Sequence, residues 1–386
     1  MIATADRLGN VQEYYFSQKL RQIAELNAQG YDILNLGIGS PDRAPESRVI
    51  QTLHESALKG NAHGYQNYKG IPQLRKAFVD WYKNYFQVSL NPETEILPLI
   101  GSKEGIFHIA MTYLNPGDEV LVPNPGYPSY GATALLAGAT VRSYDLLESR
   151  NWQPDLETLE KSDLSKVKMM WVNYPNMPTG AQADNAFFKK LIAFAEQNDI
   201  LVCNDNPYAF ILNDLPMSLL ADGLNDHIIE LNSLSKSHNM AGWRMGMVAA
   251  TKTHIDNILR FKSNLDSGMF LPIQQAAVEA LSLGAEWFTD LNKEYRERRK
   301  IAAEILDVLG CSFDQKQVGM FLWAKVPGQV AEVEPWVDDI LLNAQVFLTP
   351  GFIFGSNGGR YIRISLCSTQ EAFREALTRI KKHLGQ

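Results

Sequence analysis

Between Leu97 and Ala250, apolar β-rich runs alternate with helix-like segments, and this alternation constrains the fold more than any other property of the chain. The runs Glu119 to Val122, Lys168 to Val172, Ile200 to Asn204 and Ile228 to Leu231 are separated by stretches such as Asn185 to Gln197, where the apolar spacing is helical. Strand and helix in regular succession predict a mostly parallel sheet covered by helices, an α/β architecture. Ligands of such sheets sit outside the carboxyl ends of the strands. Asp205 and Lys236, two side chains with chemistry to offer, follow the ends of these runs.

At 386 residues the chain is too long for one compact core. Its character changes after Thr253, where helical spacing carries Ile255 to Leu265 and Gln274 to Leu283. The breaker-free stretch Glu286 to Leu309 reads as one long helix. Beyond it lie β-like pieces (Gly319 to Val326, Val346 to Thr349, Tyr361 to Leu366) and a final helix, Gln370 to Leu384. Near the start, Phe16, Leu20, Ile23 and Leu26 give Val11 to Gly30 a helical period. Asp32 to Asp42 then reads as a short strand entering a Gly/Pro turn. Gly37 and Gly39 form an ordinary turn there, or let backbone approach a ligand. The expected organisation is an N-terminal segment, 1–45, packing with a small domain at 286–386, and a large domain at 46–285.

A formal net charge of -7 counts against nucleic acid as a partner. Cys203, Cys311 and Cys367 are odd in number and far apart, so they make neither a disulfide framework nor a metal quartet. With no secretory leader pattern and no apolar stretch of membrane-spanning length, a cytoplasmic protein with no membrane partner is expected.

The stretch Ser233 to Arg244, SLSKSHNMAGWR, suits a lysine that carries a cofactor. Lys236 can form a Schiff base with an aldehyde, while Ser233, Ser235 and Arg244 can bind a phosphate by charge-assisted hydrogen bonds. Pyridoxal 5'-phosphate carries both groups. The bland alternative is a solvated loop. Gly101-Ser-Lys-Glu-Gly105, at the start of the helical stretch Ile106 to Leu114, offers backbone N–H groups with Ser102 and Lys103 to a phosphate, or is a plain helix cap. Asp205 can pair with a protonated pyridine nitrogen and Tyr208 can donate to the ring's 3-hydroxyl oxygen; a capping Asp in a turn is the alternative. Tyr127, held in Pro123 to Tyr130 by prolines, can stack on a ring or sit in the core. Arg363, inside the β-like run from Tyr361, needs a partner if it faces inward, either a substrate carboxylate or a structural ion pair.

In order and spacing these motifs resemble the class I/II aminotransferases, pyridoxal-phosphate enzymes with the aspartate aminotransferase fold, over nearly the whole chain. The resemblance implies a large domain with a mostly parallel seven-stranded sheet plus a smaller α/β domain. It implies that Lys236 is the Schiff-base lysine and proton shuttle, with Asp205 at the ring nitrogen and Tyr208 at the 3-hydroxyl. Ser102, Lys103, Ser233, Ser235 and Arg244 would hold phosphate, with Tyr127 on the ring. Arg363 would clamp the substrate α-carboxylate, and Gly39 would contact substrate through its backbone. Tyr65 would reach the phosphate of a neighbouring subunit, which implies a homodimer with shared active sites.

One motif departs from the family. Where relatives carry Asn-Pro-Thr-Gly, the run here is Tyr174-Pro-Asn-Met-Pro-Thr-Gly180, so Met177 stands at the usual asparagine. A thioether donates no hydrogen bond. Asn176, one residue earlier, is the remaining candidate for that cofactor contact. The motifs around Tyr65 and Ser102 look like those of LL-diaminopimelate and alanine-type aminotransferases. Between Lys262 and Phe270, where dicarboxylate-specific relatives keep an arginine that serves the other subunit's site, only Lys262 is available, so strong aspartate specificity is not expected. The expected activity is amino transfer between an L-amino acid and a 2-oxo acid by a ping-pong cycle through a lysine aldimine, with glutamate/2-oxoglutarate as one pair. A carbon–sulfur β-lyase and a non-catalytic cofactor-binding regulatory module are the alternatives.

Overall fold

The computed structural model describes residues 2–9, 11, 13 and 15–386. Twelve strands are named in chain order: β1 (Leu34–Asn35), β2 (Ile96–Leu99), β3 (Glu119–Asn124), β4 (Thr140–Asp145), β5 (Val167–Val172), β6 (Leu201–Asp205), β7 (Ile228–Ser233), β8 (Gly246–Ala249), β9 (Phe321–Lys325), β10 (Val346–Phe347), β11 (Thr349–Pro350) and β12 (Tyr361–Ser365). Seven form the central sheet, in the order β2-β8-β7-β6-β5-β3-β4. All run parallel except β8, which is antiparallel to both β7 and β2.

Side-chain alternation divides this sheet between two layers. Met169 and Trp171 of β5 face one layer with Ile106, Ile109, Ile255 and Ile258 of the helices Ser102–Tyr113 and Lys252–Lys262. Met170 and Val172 face the opposite layer, where Phe187, Leu191 and Phe194 of Asn185–Asn198 and Phe78 and Trp81 of Pro72–Phe86 pack. Because both faces are covered, β6 and β7 are buried along their whole length, including the polar Asn204, Asp205, Glu230 and Asn232. The two edges look different. β2 contains Pro98, tolerated because only β8 pairs with it, and β4 carries exposed Thr140 and Ser143.

A second, antiparallel sheet has the order β11-β12-β9 and sets Arg363 opposite Trp323 and Thr349. The single β-like piece expected at Val346 to Thr349 is two strands in different sheets, since β10 pairs with β1. Residues near the N-terminus are tied to the C-terminal part of the chain. Lys19 pairs with Asp338 at 2.6 Å, Asp32 with Arg379 at 2.6 Å, and the Ser365 N–H donates to the Leu36 carbonyl at 2.7 Å. The helix expected from Val11 is Tyr15–Ala28; Gln12 and Tyr14 lie outside the described residues. The long helix is unbroken over Ala285–Val308. Among the described residues, no helix is long and apolar enough to cross a membrane.

Candidate active site

Asn173, Asp205 and Ser233 stand at the carboxyl ends of the neighbouring strands β5, β6 and β7. They open into a cavity of about 300 Å³. Of the residues expected from sequence, Gly39, Ser102, Lys103, Tyr127, Asp205, Tyr208, Ser233, Ser235, Lys236, Arg244 and Arg363 all line it.

Lys236 sits in the one-turn helix Leu234–Ser237, which begins where β7 ends. Its Nζ donates to the Gly39 carbonyl at 2.6 Å. Burial lowers its pKa; the nearby charges of Arg363 and Arg244 push the same way. Gly39 must be glycine, because a Cβ there would collide with the Phe321 ring. Ser233 Oγ donates to Ser235 Oγ at 2.8 Å and accepts from the Ser235 N–H at 3.1 Å, so the two hydroxyls are held together. Arg244, in the left-handed region at φ 57°, packs its guanidinium against Gly101 at the start of the helix Ser102–Tyr113. Ser102, Lys103, Ser233, Ser235 and Arg244 thus converge as donors around one end of the cavity.

Asp205 is buried, and one of its oxygens, Oδ2, accepts from Tyr130 Oη at 3.0 Å. Tyr130 is fixed in turn by stacking on Trp171, ring centroids 4.9 Å apart. Oδ1 is buried with no hydrogen-bond partner. Burial raises the carboxyl pKa to about 7, opposed by the Tyr130 bond and reinforced by the negative charge of Glu230. Burial also raises the Tyr208 hydroxyl.

Arg363 is buried on β12. Its Nη2 donates to the Gly37 carbonyl at 2.8 Å and its Nη1 lies 3.3 Å from Met177 Sδ. The guanidinium carbon is 4.0 Å from the ring centroid of Phe321, 4.6 Å from that of Phe354 and 5.3 Å from that of Phe16.

Asn176 is a correction to the expected site. It is absent from the cavity lining, and its Oδ1 instead accepts from Thr179 Oγ1 at 2.7 Å within its own loop. Asn173 lines the cavity and braces this turn. Its Nδ2 donates to the Asp205 carbonyl at 2.5 Å and its Oδ1 accepts from the Met177 N–H at 2.7 Å. Tyr65 is 93% exposed and does not line the cavity of its own chain. Lys262 is fully buried and its ammonium is 2.5 Å from Asp266, so it faces inward. Phe16, Ile38, Tyr130, Asn173 and Phe321 line the cavity without having been expected there. For Asn173 a signal existed: it follows a buried strand directly, as Asp205 and Ser233 close theirs.

An unpartnered buried carboxylate oxygen, a lysine and a cluster of anion donors in one cavity fit pyridoxal 5'-phosphate, which brings a ring N–H, an aldehyde and a phosphate. Fold and site together define a pyridoxal-phosphate-dependent enzyme of the aspartate aminotransferase fold. Residues 31–380 match the family model described as Aminotransferase class I and II. The chain is 41% identical to an LL-diaminopimelate aminotransferase of Dehalococcoides mccartyi over 97% of each, and 38% identical to one of Aquifex aeolicus over 99% of each. Substrate-bound BacF from Bacillus subtilis has a TM-score of 0.94 at 36% identity, covering 99% of this chain and 98% of that one. A single mutant of Thermus thermophilus aspartate aminotransferase gives 0.92 at 25% identity, covering 99% and 100%. The chain belongs to the class I and II aminotransferases, and it moves amino groups between amino acids and 2-oxo acids with pyridoxal phosphate.

Proposed function

We propose that Lys236 holds the cofactor and carries the substrate proton, and that glutamate/2-oxoglutarate is one of the two substrate pairs. The observation that supports this reading is that Lys236 Nζ, the open Asp205 Oδ1 and Arg363 belong to one cavity. When bound, pyridoxal phosphate supplies an electron-withdrawing ring that acidifies the substrate Cα–H bond. Asp205 offers Oδ1 to the ring nitrogen's proton, while Tyr130 occupies Oδ2. Tyr127 would stack on the ring and Tyr208 would donate to its 3-oxygen. Ser102, Lys103, Ser233, Ser235 and Arg244 take the phosphate.

Arg363 takes the substrate α-carboxylate, with the Gly37 carbonyl holding the guanidinium in place. Lys236, its pKa lowered by burial, has a larger share of neutral amine than a solvated lysine, as a nucleophile and general base require. The Gly39 carbonyl aims that amine, and would contact a substrate through the cavity it lines. These contacts read only the α-amino acid head, which glutamate shares with every donor. A homodimer, with Tyr65 completing a neighbour's phosphate site, accounts for a tyrosine exposed on its own chain. The large domain is 46–285, and 1–45 belongs with 286–386 in the small one.

Adding L-glutamate without an oxo acid to the cofactor-loaded protein should replace the visible band of the lysine-bound cofactor by that of its amine form. Lys236→Ala should keep the fold and lose turnover by ~10⁴-fold or more. A band that other donors move and glutamate does not would remove glutamate from the pair. Substantial turnover by Lys236→Ala would remove the lysine from its role.

A further inference from the structure

The groups that meet the amino-acid head come from two distant pieces of chain, one around Gly37 and Gly39, the other around Arg363. The pieces touch where Arg363 Nη2 donates to the Gly37 carbonyl and where the Ser365 N–H donates to the Leu36 carbonyl. A side chain outside the cavity grips both. Arg298, on the long helix Ala285–Val308, is buried, with 3% of it exposed. Its Nη1 and Nη2 donate to the two oxygens of Asp42 at 2.7 and 2.9 Å, just beyond Gly39 in the chain. Nη1 also donates to the Leu366 carbonyl at 3.0 Å, just beyond β12 and its Arg363. Nε donates to Glu294 at 2.8 Å, and Glu294 is held in turn by Gln370 Nε2 at 3.0 Å. A guanidinium engaged along both edges of its planar fork is fixed in orientation. Past Asp42, the Ala44 carbonyl accepts from Asn239 Nδ2 at 3.3 Å, in the turn that follows Lys236.

We propose that Arg298 is a positioning residue for the substrate. By holding Asp42 and the Leu366 carbonyl on one rigid fork, it fixes the Gly37–Gly39 backbone against Arg363 and so sets how tightly the enzyme holds the α-carboxylate end of every amino acid. The inference rests on Arg363 as the α-carboxylate clamp and deepens the proposed function. The Gly37 carbonyl steadies the Arg363 guanidinium only as far as Gly37 is itself steady, and beyond Gly39 the anchor of that segment is Asp42. A shift of about 1 Å in such a support is enough to weaken a bidentate grip severely. Ser102, Lys103, Ser233, Ser235 and Arg244, which take the phosphate, come instead from the central sheet and the helix Ser102–Tyr113 beside it. Releasing Asp42 therefore loosens the hold on the amino-acid head and leaves the hold on the cofactor. Because the head is common to all donors, the loss is the same for long and short, polar and apolar side chains.

Single-turnover traces of the first half-reaction, taken on the cofactor-loaded enzyme across a panel of L-amino acids, separate amino-acid affinity from the rate at saturation. Asp42→Asn keeps the shape of a side chain that is 26% exposed, and Arg298→Lys keeps the charge without the fork. Each should weaken affinity about tenfold, by a similar factor for every reactive donor, with the saturated rate within about threefold and cofactor affinity unchanged. Arg363→Lys provides the second leg of a double-mutant cycle. In that background Asp42→Asn should weaken affinity by less than about twofold more, because the clamp it steadies is already impaired. Unchanged affinity in both single variants overturns the proposal, and so does a loss confined to the cofactor or to the saturated rate. A full tenfold loss added on top of Arg363→Lys also overturns it, since a pair that merely stabilises the fold would act independently of the clamp. An Arg363→Lys enzyme that binds donors as tightly as the parent has a different meaning: it removes the clamp itself, and with it the reading on which the proposal rests.

Discussion

Asp205 joins two properties that conflict unless a cation arrives. Its carboxyl is buried, with one oxygen bonded to Tyr130 and the other open, and burial lifts its pKa to about 7. In an unfolded chain an Asp titrates near about 3.9. Below that pH both states are neutral and the contribution to stability is fully present. As pH rises toward 7 the unfolded chain ionises first, and the contribution is lost. The cofactor-free protein should therefore lose up to a few kcal/mol of stability between about pH 4 and pH 7 through this group. Asp205→Asn should abolish that part of the slope, as denaturant unfolding at a series of pH values will show; parallel slopes would exclude Asp205 as its source. Residue by residue, the sequence revealed the groups whose chemistry is distinctive, such as Lys236, Asp205 and Arg363. It did not reveal Tyr130 as the partner of Asp205, because that contact joins a helix and a strand 75 positions apart. Nor did it separate Asn173 from Asn176, since only the turn's own hydrogen bonds decide which amide enters the cavity.

At the level of elements, burial decided what was legible. β5, β6 and β7 have helices over both faces, so each contains an apolar run (Met169 to Val172, Leu201 to Cys203, Ile228 to Ile229) that stands out. Of the edge strands, β4 gives no such run while the buried β2 does, and the break at Leu348 between β10 and β11 reflects a change of sheet that no local pattern encodes. Helix ends carry clearer chemistry. Asp184 caps Asn185–Asn198 by accepting from the Phe187 N–H at 2.7 Å. Asp184→Ala should cost about 1 kcal/mol and lower Tm by roughly 2 °C while leaving kcat unchanged. An unaltered melting curve would mean that the cap is replaced by water without loss.

For the whole molecule, two surface segments bring apolar side chains together. Leu58, Tyr65 and Tyr68 are exposed on one, and Leu265 and Phe270 on the other. The segments touch where Gly268 meets the Gln66 backbone and where the rings of His63 and Phe270 lie 5.9 Å apart. Such a patch favours a second copy of the chain. Sedimentation should give a mass about twice that of one chain, and Tyr65→Phe should preserve it while weakening cofactor affinity by about tenfold. A monomer that binds cofactor at full strength would refute shared sites.

Support for the site comes from separate parts of the chain. Asp205 and Ser233 end strands of the central sheet, whereas Phe16, Gly37 and Ile38 come from the first forty residues and Phe321 and Arg363 from the small sheet. The molecule resembles a machine tool with a fixed spindle and an exchangeable jaw. A library confined to positions 16, 38 and 321 would alter what the jaw grips while the spindle, and with it the coenzyme's chemistry, stays where the strands hold it.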